Sequence, residues 1–315
     1  MSGPGFVGLD HLLDPEIVAS LSAPVALRPT GFDPLDQVLS GGFAPEELVV
    51  VGGIPGVGKS VATVQWARNL AHTGQNVLLA CYEHSELIVM AQLLLIELGE
   101  ASASVVDTVK PRHAIDDMIG GRATWEETVK SDDKLGAAAE RLARYAANIT
   151  VLDREGRGGG FDPLRAAVMD HGADVLVIDH LQKVCATPAD TAVRAKELAV
   201  ATGCTVLATT VVSDDGVAAR RLRPEHLVDA AMVTHEADIE IVLNDKLPIV
   251  SRNHSAFDSV RAESFRNQVV FTVEKNRRGI GGIDIEFDRD FPHRRFSRSG
   301  GFVTERLVDN VSVHE

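Results

Sequence analysis

The segment Gly53-Ile54-Pro55-Gly56-Val57-Gly58-Lys59-Ser60 fits the spacing G-x-x-x-x-G-K-[ST] at every fixed position. Glycines at these places let backbone N–H groups turn inward around phosphate oxygens. A helix starting there adds the positive end of its dipole. Lys59 would reach the β- and γ-phosphates, and Ser60 would hold Mg2+. The context matches, because an apolar run at 48–52 precedes the loop and residues 60–71 read as a helix. The expected nucleotide-binding residues are Gly53, Pro55, Gly56, Val57, Gly58, Lys59, Ser60 and Val61, and the expected cofactors are ATP and Mg2+. A glycine-rich turn that binds nothing is the alternative.

A Mg2+-nucleotide site needs a second carboxylate at the end of another strand. The run DVLVID at 174–179 supplies one: four apolar residues followed by Asp179 place a carboxylate at the C-terminal edge of a sheet, the usual ligand crevice of open α/β sheets. An aspartate that only caps a turn is the competing reading. Hydrolysis also needs a group to orient the attacking water. Glu83 follows the apolar run NVLLAC at 76–81 and would face the γ-phosphate if that strand lies next to the loop strand. Glu86 is its nearest competitor, and a solvated loop glutamate is the plainer alternative.

These groups need a frame. Short apolar runs at 76–81, 149–152, 174–178, 204–210, 239–243, 269–274 and 283–287 read as further strands. Helical patterns at 85–98, 101–145, 162–171 and 191–202 separate most of them. Apolar strands without clean alternation, joined by helices, predict an α/β fold with a mainly parallel central sheet flanked by helices. The short turn at 278–282 predicts an antiparallel C-terminal edge. Residues 1–27 read as an arm, in which Leu9, Leu12, Leu13 and Ile17 recur at helical spacing and Pro15 interrupts one continuous helix. That stripe would pack on its own core or on a neighbouring subunit. The expected units are therefore the arm at 1–27, one domain at 28–298 and a tail at 299–315. The glycine cluster at 156–160 reads as a surface loop.

The chain has 315 residues and carries 31 Lys+Arg against 45 Asp+Glu, a formal net charge of −14, which argues against a protein that coats nucleic acid indiscriminately. Three widely spaced cysteines (Cys81, Cys185, Cys204) form no disulfide framework and no metal pair, so a reducing, cytoplasmic setting is expected. No apolar run approaches the roughly 20 residues needed to span a bilayer, so no membrane partner is expected.

Together the motifs resemble a known family. The stretch RPTGFDPLD at 28–36, Gly41-Gly42 and the loop at 53–60 look like the start of the RecA-like ATPase domain of DnaB-type replicative helicases. Tyr82-Glu83-His84-Ser85 is similar to the family's segment carrying the catalytic glutamate, and Val177-Ile178-Asp179-His180-Leu181-Gln182 to its Walker B segment. The stretch EADIEI at 236–241 resembles the approach to a late strand, and Glu274-Lys275-Asn276-Arg277-Arg278-Gly279 the arginine-finger hairpin. The resemblance implies a RecA-like P-loop NTPase fold and an ATPase of helicase type, forming a hexameric ring around single-stranded DNA during DNA replication. It further implies that Glu83 activates water, that Asp179 supports the metal shell, and that Lys275 and Arg277 point into a neighbour's site, Arg277 as the finger. An exposed basic hairpin with screened charges is the alternative for the last pair.

Three departures stand out. Only residues 1–27 precede the ATPase pattern, where the family has an N-terminal domain. Val211 stands where the family has a glutamine that senses the γ-phosphate, and an apolar side chain makes no such hydrogen bond. The segment from Asp179 to Cys204 is shorter than usual. The candidate DNA contact is the segment 213–226, with Arg220, Arg221 and Arg223; it also carries Asp214, Asp215 and Glu225 and has no aromatic for base stacking. A second basic cluster (Arg289, His293, Arg294, Arg295, Arg298) reads as surface hairpin. The acidic balance, the short N-terminal segment and Val211 favour the alternative function, a RecA-fold ATPase without motor action, whose nucleotide state controls oligomerisation or a protein partner.

Overall fold

The computed structural model describes residues 8–21, 25–101, 108–153, 158–250 and 259–309. Its frame is a single sheet of strands β1 (Leu48–Gly53), β2 (Val77–Cys81), β3 (Ile149–Val151), β4 (Val175–Asp179), β5 (Thr205–Thr209), β6 (Ile239–Asp245), β7 (Gln268–Asn276), β8 (Ile283–Asp290), β9 (Arg295–Phe296) and β10 (Gly301–Phe302). Their order is β10-β8-β7-β6-β1-β5-β4-β2-β3, with β9 paired to β8. Strands β6 to β3 along this path run parallel, and β7, β8, β9 and β10 pair antiparallel. The expected α/β fold, with a mainly parallel sheet and an antiparallel C-terminal edge, is the fold observed.

The parallel strands lack alternation because both faces are buried. Val49, Val51, Leu79 and Val177 point into one core with Trp66, Leu70, Leu94 and Phe271. Leu48, Val50, Leu78, Leu176 and Val206 point into the opposite core with Leu164, Ala195 and Leu198. The helices Lys59–His72 and Glu86–Ala101 cover the first face, and Asp162–His171 and Pro188–Thr202 the second. The polar stretch expected to be helical at 101–145 forms the helices Val109–Ile119, Trp125–Lys130 and Asp133–Ala143.

Two expectations change. Strand β2 does not lie beside β1: β5 and β4 stand between them, and β2 pairs with β4. The chain does not become a tail at residue 299, because β10 pairs with β8 and Val308 N–H donates to Ile249 O at 2.8 Å. As the interruption at Pro15 predicts, the arm forms two short helices, Leu9–Leu12 and Pro15–Leu21, because proline fits a first helical turn and breaks an interior one. Of this stripe Leu9 and Leu13 are exposed, and Leu12 and Ile17 are half-buried.

Residues 1–7, 22–24 and 310–315 of the arm and tail lie outside the described residues, as do residues 156–157 of the glycine cluster. No helix among the described residues is long and apolar enough to cross a membrane. The three cysteines are free.

Candidate nucleotide site

The loop after β1 reaches the helix Lys59–His72 through Gly56 at φ 83° and Gly58 at φ 113°, backbone conformations that L side chains adopt only with strain. A Cβ on Gly58 would stand 2.5 Å from the Phe296 ring and 3.0 Å from Phe291, so glycine is required there for space as well. Val57 is buried and anchors the loop, leaving Pro55 and Gly56 exposed above the sheet. Gly58 is the N-cap and no side chain caps this helix, so its first N–H groups face the cleft as an anion site. Lys59 Nζ donates to Gly53 O at 2.6 Å and Ile54 O at 3.1 Å. Burial lowers the Lys59 ammonium to about 8, against the opposing pull of the Asp179 and Glu83 charges.

Strand β4 ends in Asp179, which is buried and accepts from Thr209 Oγ1 at 2.6 Å. The register pairs Cys81 with Asp179, and Tyr82 N–H donates to Asp179 O at 3.0 Å. The turn after β2 thereby brings Glu83 beside β4 rather than beside β1. Glu83 Oε1 lies 3.1 Å from His180 Nε2. This contact holds the Glu83 carboxyl below its ordinary range, with desolvation opposing. A cleft of about 310 Å3 collects Pro55, Gly56, Gly58, Lys59, Ser60, Val61, Glu83, Asp179 and Val211. Glu86 opens the helix Glu86–Ala101 and does not line this cleft.

Two further residues line the cleft: Arg294, expected on a surface hairpin, and Phe291. The Gln65 side chain brings them in: its amide donates to Phe296 O at 2.9 Å and its oxygen accepts from Phe296 N–H at 2.8 Å, fastening the 291–296 turn to the loop's own helix. Phe291 packs on Phe296 with ring centroids 5.5 Å apart. The only local signal was a Phe-Pro pair within a basic run.

Phosphate, nucleotide and Mg2+ suit these residues. The glycine cradle has no room for a Cβ at position 58, and it opens on uncapped amides and a lysine. Ser60 and Asp179 would hold the metal with phosphate oxygens. Among the described residues no group of three or more His, Cys, Asp and Glu forms a metal site, and Mg2+ bound through phosphates needs none.

The remaining candidates are elsewhere. Lys275 and Arg277 lie at the edge where the parallel strands begin, since β7 pairs Asn276 with Ile239 and β1 pairs Val49 with Ile239. There Lys275 Nζ donates to Thr234 O at 2.6 Å, and Arg277 donates to His235 O at 2.6 Å and Asp238 Oδ1 at 3.2 Å. Arg277 nonetheless remains about half exposed, 45% by side chain.

The three arginines expected to meet DNA do not form a free strip. Arg221 is buried and pairs with Asp284, and Arg223 pairs with Glu274 at 3.0 Å and Asp309 at 2.9 Å. Arg220 donates to Pro248 O at 2.8 Å and Val250 O at 3.2 Å. The charges of Arg221 and Arg223 are paired within the fold, because β7 and β8 present Glu274 and Asp284 to them.

Comparison with known proteins agrees with this architecture. The family model of the DnaB-like helicase C-terminal domain matches residues 28–297. The chain is 34% identical over 124 residues to the DNA repair protein RadA of Synechocystis, covering 39% of this chain and 23% of that protein. It is 26% identical over 172 residues to RadA of Mycolicibacterium smegmatis, 49% of this chain and 32% of that protein. The matched segments thus span about a third or less of these curated relatives. Among solved structures, a DnaB-like replicative helicase described with its primase interactions superposes with a TM-score of 0.67 at 18% identity, covering 89% of this chain and 64% of that one. A KaiC-like protein of the hyperthermophilic archaeon Pyrococcus horikoshii reaches 0.54 at 15% identity, over 89% of this chain and 100% of that one.

Proposed function

Because the chain belongs to the DnaB-like helicase C-terminal domain family, we propose that it binds and hydrolyses ATP, works as a ring with sites built between subunits, and acts on single-stranded DNA. In this reading residues 28–298 are the ATPase unit and residues 1–27 an arm whose exposed Leu9 and Leu13 seek a neighbouring subunit. The observation that carries it is the convergence in one cleft of the loop at 53–60, Asp179 and Glu83, which arrive from three different strands.

Bound Mg-ATP supplies a γ-phosphoryl group with its charge partly neutralised by the metal. The amides at the start of the helix Lys59–His72 and the Lys59 ammonium bind the phosphates. Ser60 and Asp179 hold the metal, and Thr209 fixes the Asp179 carboxylate. Glu83, kept ionised by its His180 contact, accepts the proton of the attacking water. Phe291 and Arg294 line the same cleft and would offer an aromatic ring and a cation to the base. Lys275 and Arg277 stand too far from their own cleft and would complete that of the next copy, stabilising transition-state charge there.

A second reading keeps the ATPase and drops the motor: nucleotide state controls oligomerisation or a protein partner. The internal pairing of Arg221 and Arg223 favours it, as does the apolar Val211. The partial similarity to RadA proteins, which are named for DNA repair, supports the first.

ATP turnover with and without single-stranded DNA, alongside native mass with a nonhydrolysable ATP analogue, tests both. Assembly with DNA-stimulated turnover, and unwinding of a tailed duplex, is the result expected of the first reading. Assembly and turnover indifferent to any DNA selects the second. Absence of nucleotide binding overturns both.

A further inference from the structure

Three side chains connect Glu83 to the far side of β4. Glu83 Oε1 meets His180 Nε2 at 3.1 Å, His180 Nδ1 meets Gln182 Oε1 at 2.8 Å, and Gln182 Nε2 donates to Thr210 Oγ1 at 2.8 Å. Thr210 is fully buried and its N–H donates to Val51 O at 2.9 Å, so the far end of the chain is fixed to the strand that carries the phosphate loop. An ionised carboxylate only accepts, so His180 Nε2 carries the proton that faces Glu83. The Gln182 amide can meet the ring with its oxygen or its nitrogen, and both orientations leave that proton at Nε2 and the Thr210 hydroxyl at the other end.

Thr209, the last residue of β5, and Thr210, the next, therefore divide the work. Thr209 holds the carboxylate of Asp179 directly, and Thr210 holds that of Glu83 through Gln182 and His180. Glu83 sits on the turn after β2 with its side chain 51% exposed, so packing alone does little to fix its carboxylate. Thr210 also opens the segment 211–228, whose base is closed by Val228 N–H donating to Val211 O at 3.1 Å and Ser213 N–H to His226 O at 2.8 Å. Through Arg223 that segment grips Glu274, the residue before Lys275.

We propose that His180 and Gln182 are positioning residues that orient the Glu83 carboxylate from Thr210, so that turnover, but not nucleotide binding, depends on the end of β5 and the segment it begins. The proposal rests on the hydrolytic reading above. It gives this chain a polar link from the cleft to the segment 211–228 although Val211 itself makes none through its side chain.

The test uses the full chain and the variants His180→Ala, Thr210→Val, Thr210→Ser and the double His180→Ala/Thr210→Val, measured by Mg-ATP turnover and by calorimetry with a nonhydrolysable analogue. His180→Ala and Thr210→Val are expected to lower kcat by about 10- to 100-fold, the scale of a misplaced catalytic group, while analogue affinity stays within about threefold. Thr210→Ser, which keeps the hydroxyl, recovers most of the loss, and the double variant is no slower than His180→Ala alone. Unchanged kcat in either single variant, or kcat and affinity falling together, overturns the proposal. If wild-type protein hydrolyses no ATP, the hydrolytic reading fails by itself, and the link is judged by NMR of the His180 ring nitrogens, assigned by their loss in His180→Ala. Resonances that move in Thr210→Val and in Glu83→Ala support the link, and resonances that stay put overturn it.

Discussion

Lys59 and Arg277 stand at opposite edges of the same parallel strands. Lys59 follows the end of β1, whereas Arg277 follows Asn276, which pairs with Ile239 level with the start of β1. The register separates the two levels by four residues of strand, Val49 to Gly53, about 13 Å at the rise of a β-strand. No side-chain rotation brings Arg277 to the phosphate loop of its own chain.

Mixing should therefore restore what each variant loses. Arg277→Ala protein keeps its phosphate loop, and Lys59→Ala protein keeps its finger. Each alone is expected to fall by about 1,000-fold or more in turnover, on the scale of a lost finger or phosphate lysine. A titration of one into the other should regain a fraction of wild-type ATPase. Flat, additive activity at every ratio would mean that each chain works alone.

Glu83→Gln should separate binding from chemistry. The amide keeps the shape and cannot take a proton from water. Turnover should drop by about 100-fold or more while calorimetric affinity for Mg-ATP is retained. Residual turnover near wild type would move the base to another group.

Arg221→Ala should act on stability and not on DNA. Arg221 is 4% exposed, and its removal leaves Asp284 without its guanidinium partner, whereas Asp309 keeps Arg223. A loss of about 3 kcal/mol is expected in urea unfolding, typical of breaking a buried pair. The dependence of single-stranded DNA binding on salt should keep its slope. A shallower slope would return Arg221 to the phosphate contacts expected from sequence.

Glu240 predicts a pH dependence. It is fully buried on β6, and burial raises its carboxyl to about 7, with the Thr234 hydroxyl opposing. The unfolded chain loses this proton near its ordinary value and the folded one near 7. Between the two the folded state holds more protons, so Glu240 lowers stability as pH rises through that window and keeps it lowered above 7. Glu240→Gln should raise unfolding stability at pH 8 by about 1–3 kcal/mol and leave it unchanged near pH 4, read from denaturant melts at the two values. A gain equal at both would point to packing instead of ionisation.

Much of the cleft was legible because its parts are local. A glycine loop, a strand-end aspartate and a strand-end glutamate are each encoded within a few residues of chain, and the fold class follows from apolar runs without alternation. The place of β2 was not legible. Periodicity marks a strand but says nothing of its neighbours, so Glu83 reaches the cleft past β4 and not beside β1. Phe291 and Arg294 were missed because their position depends on Gln65, which is separated by 231 residues from its partner Phe296. The ion pairs of Arg221 and Arg223 were hidden for the same reason, since their partners Glu274, Asp284 and Asp309 are distant in sequence.

The amino-acid sequence alone determined the phosphate cradle, the α/β frame and the two carboxylates, because each depends on neighbours within one turn or strand. Strand order and register decided everything that joins remote segments: Glu83 to Thr210, Arg223 to Glu274, and the separation of Arg277 from its own cleft. Those pairings form only when sheet pairing brings the segments within hydrogen-bond reach, and no local spacing carries that distance.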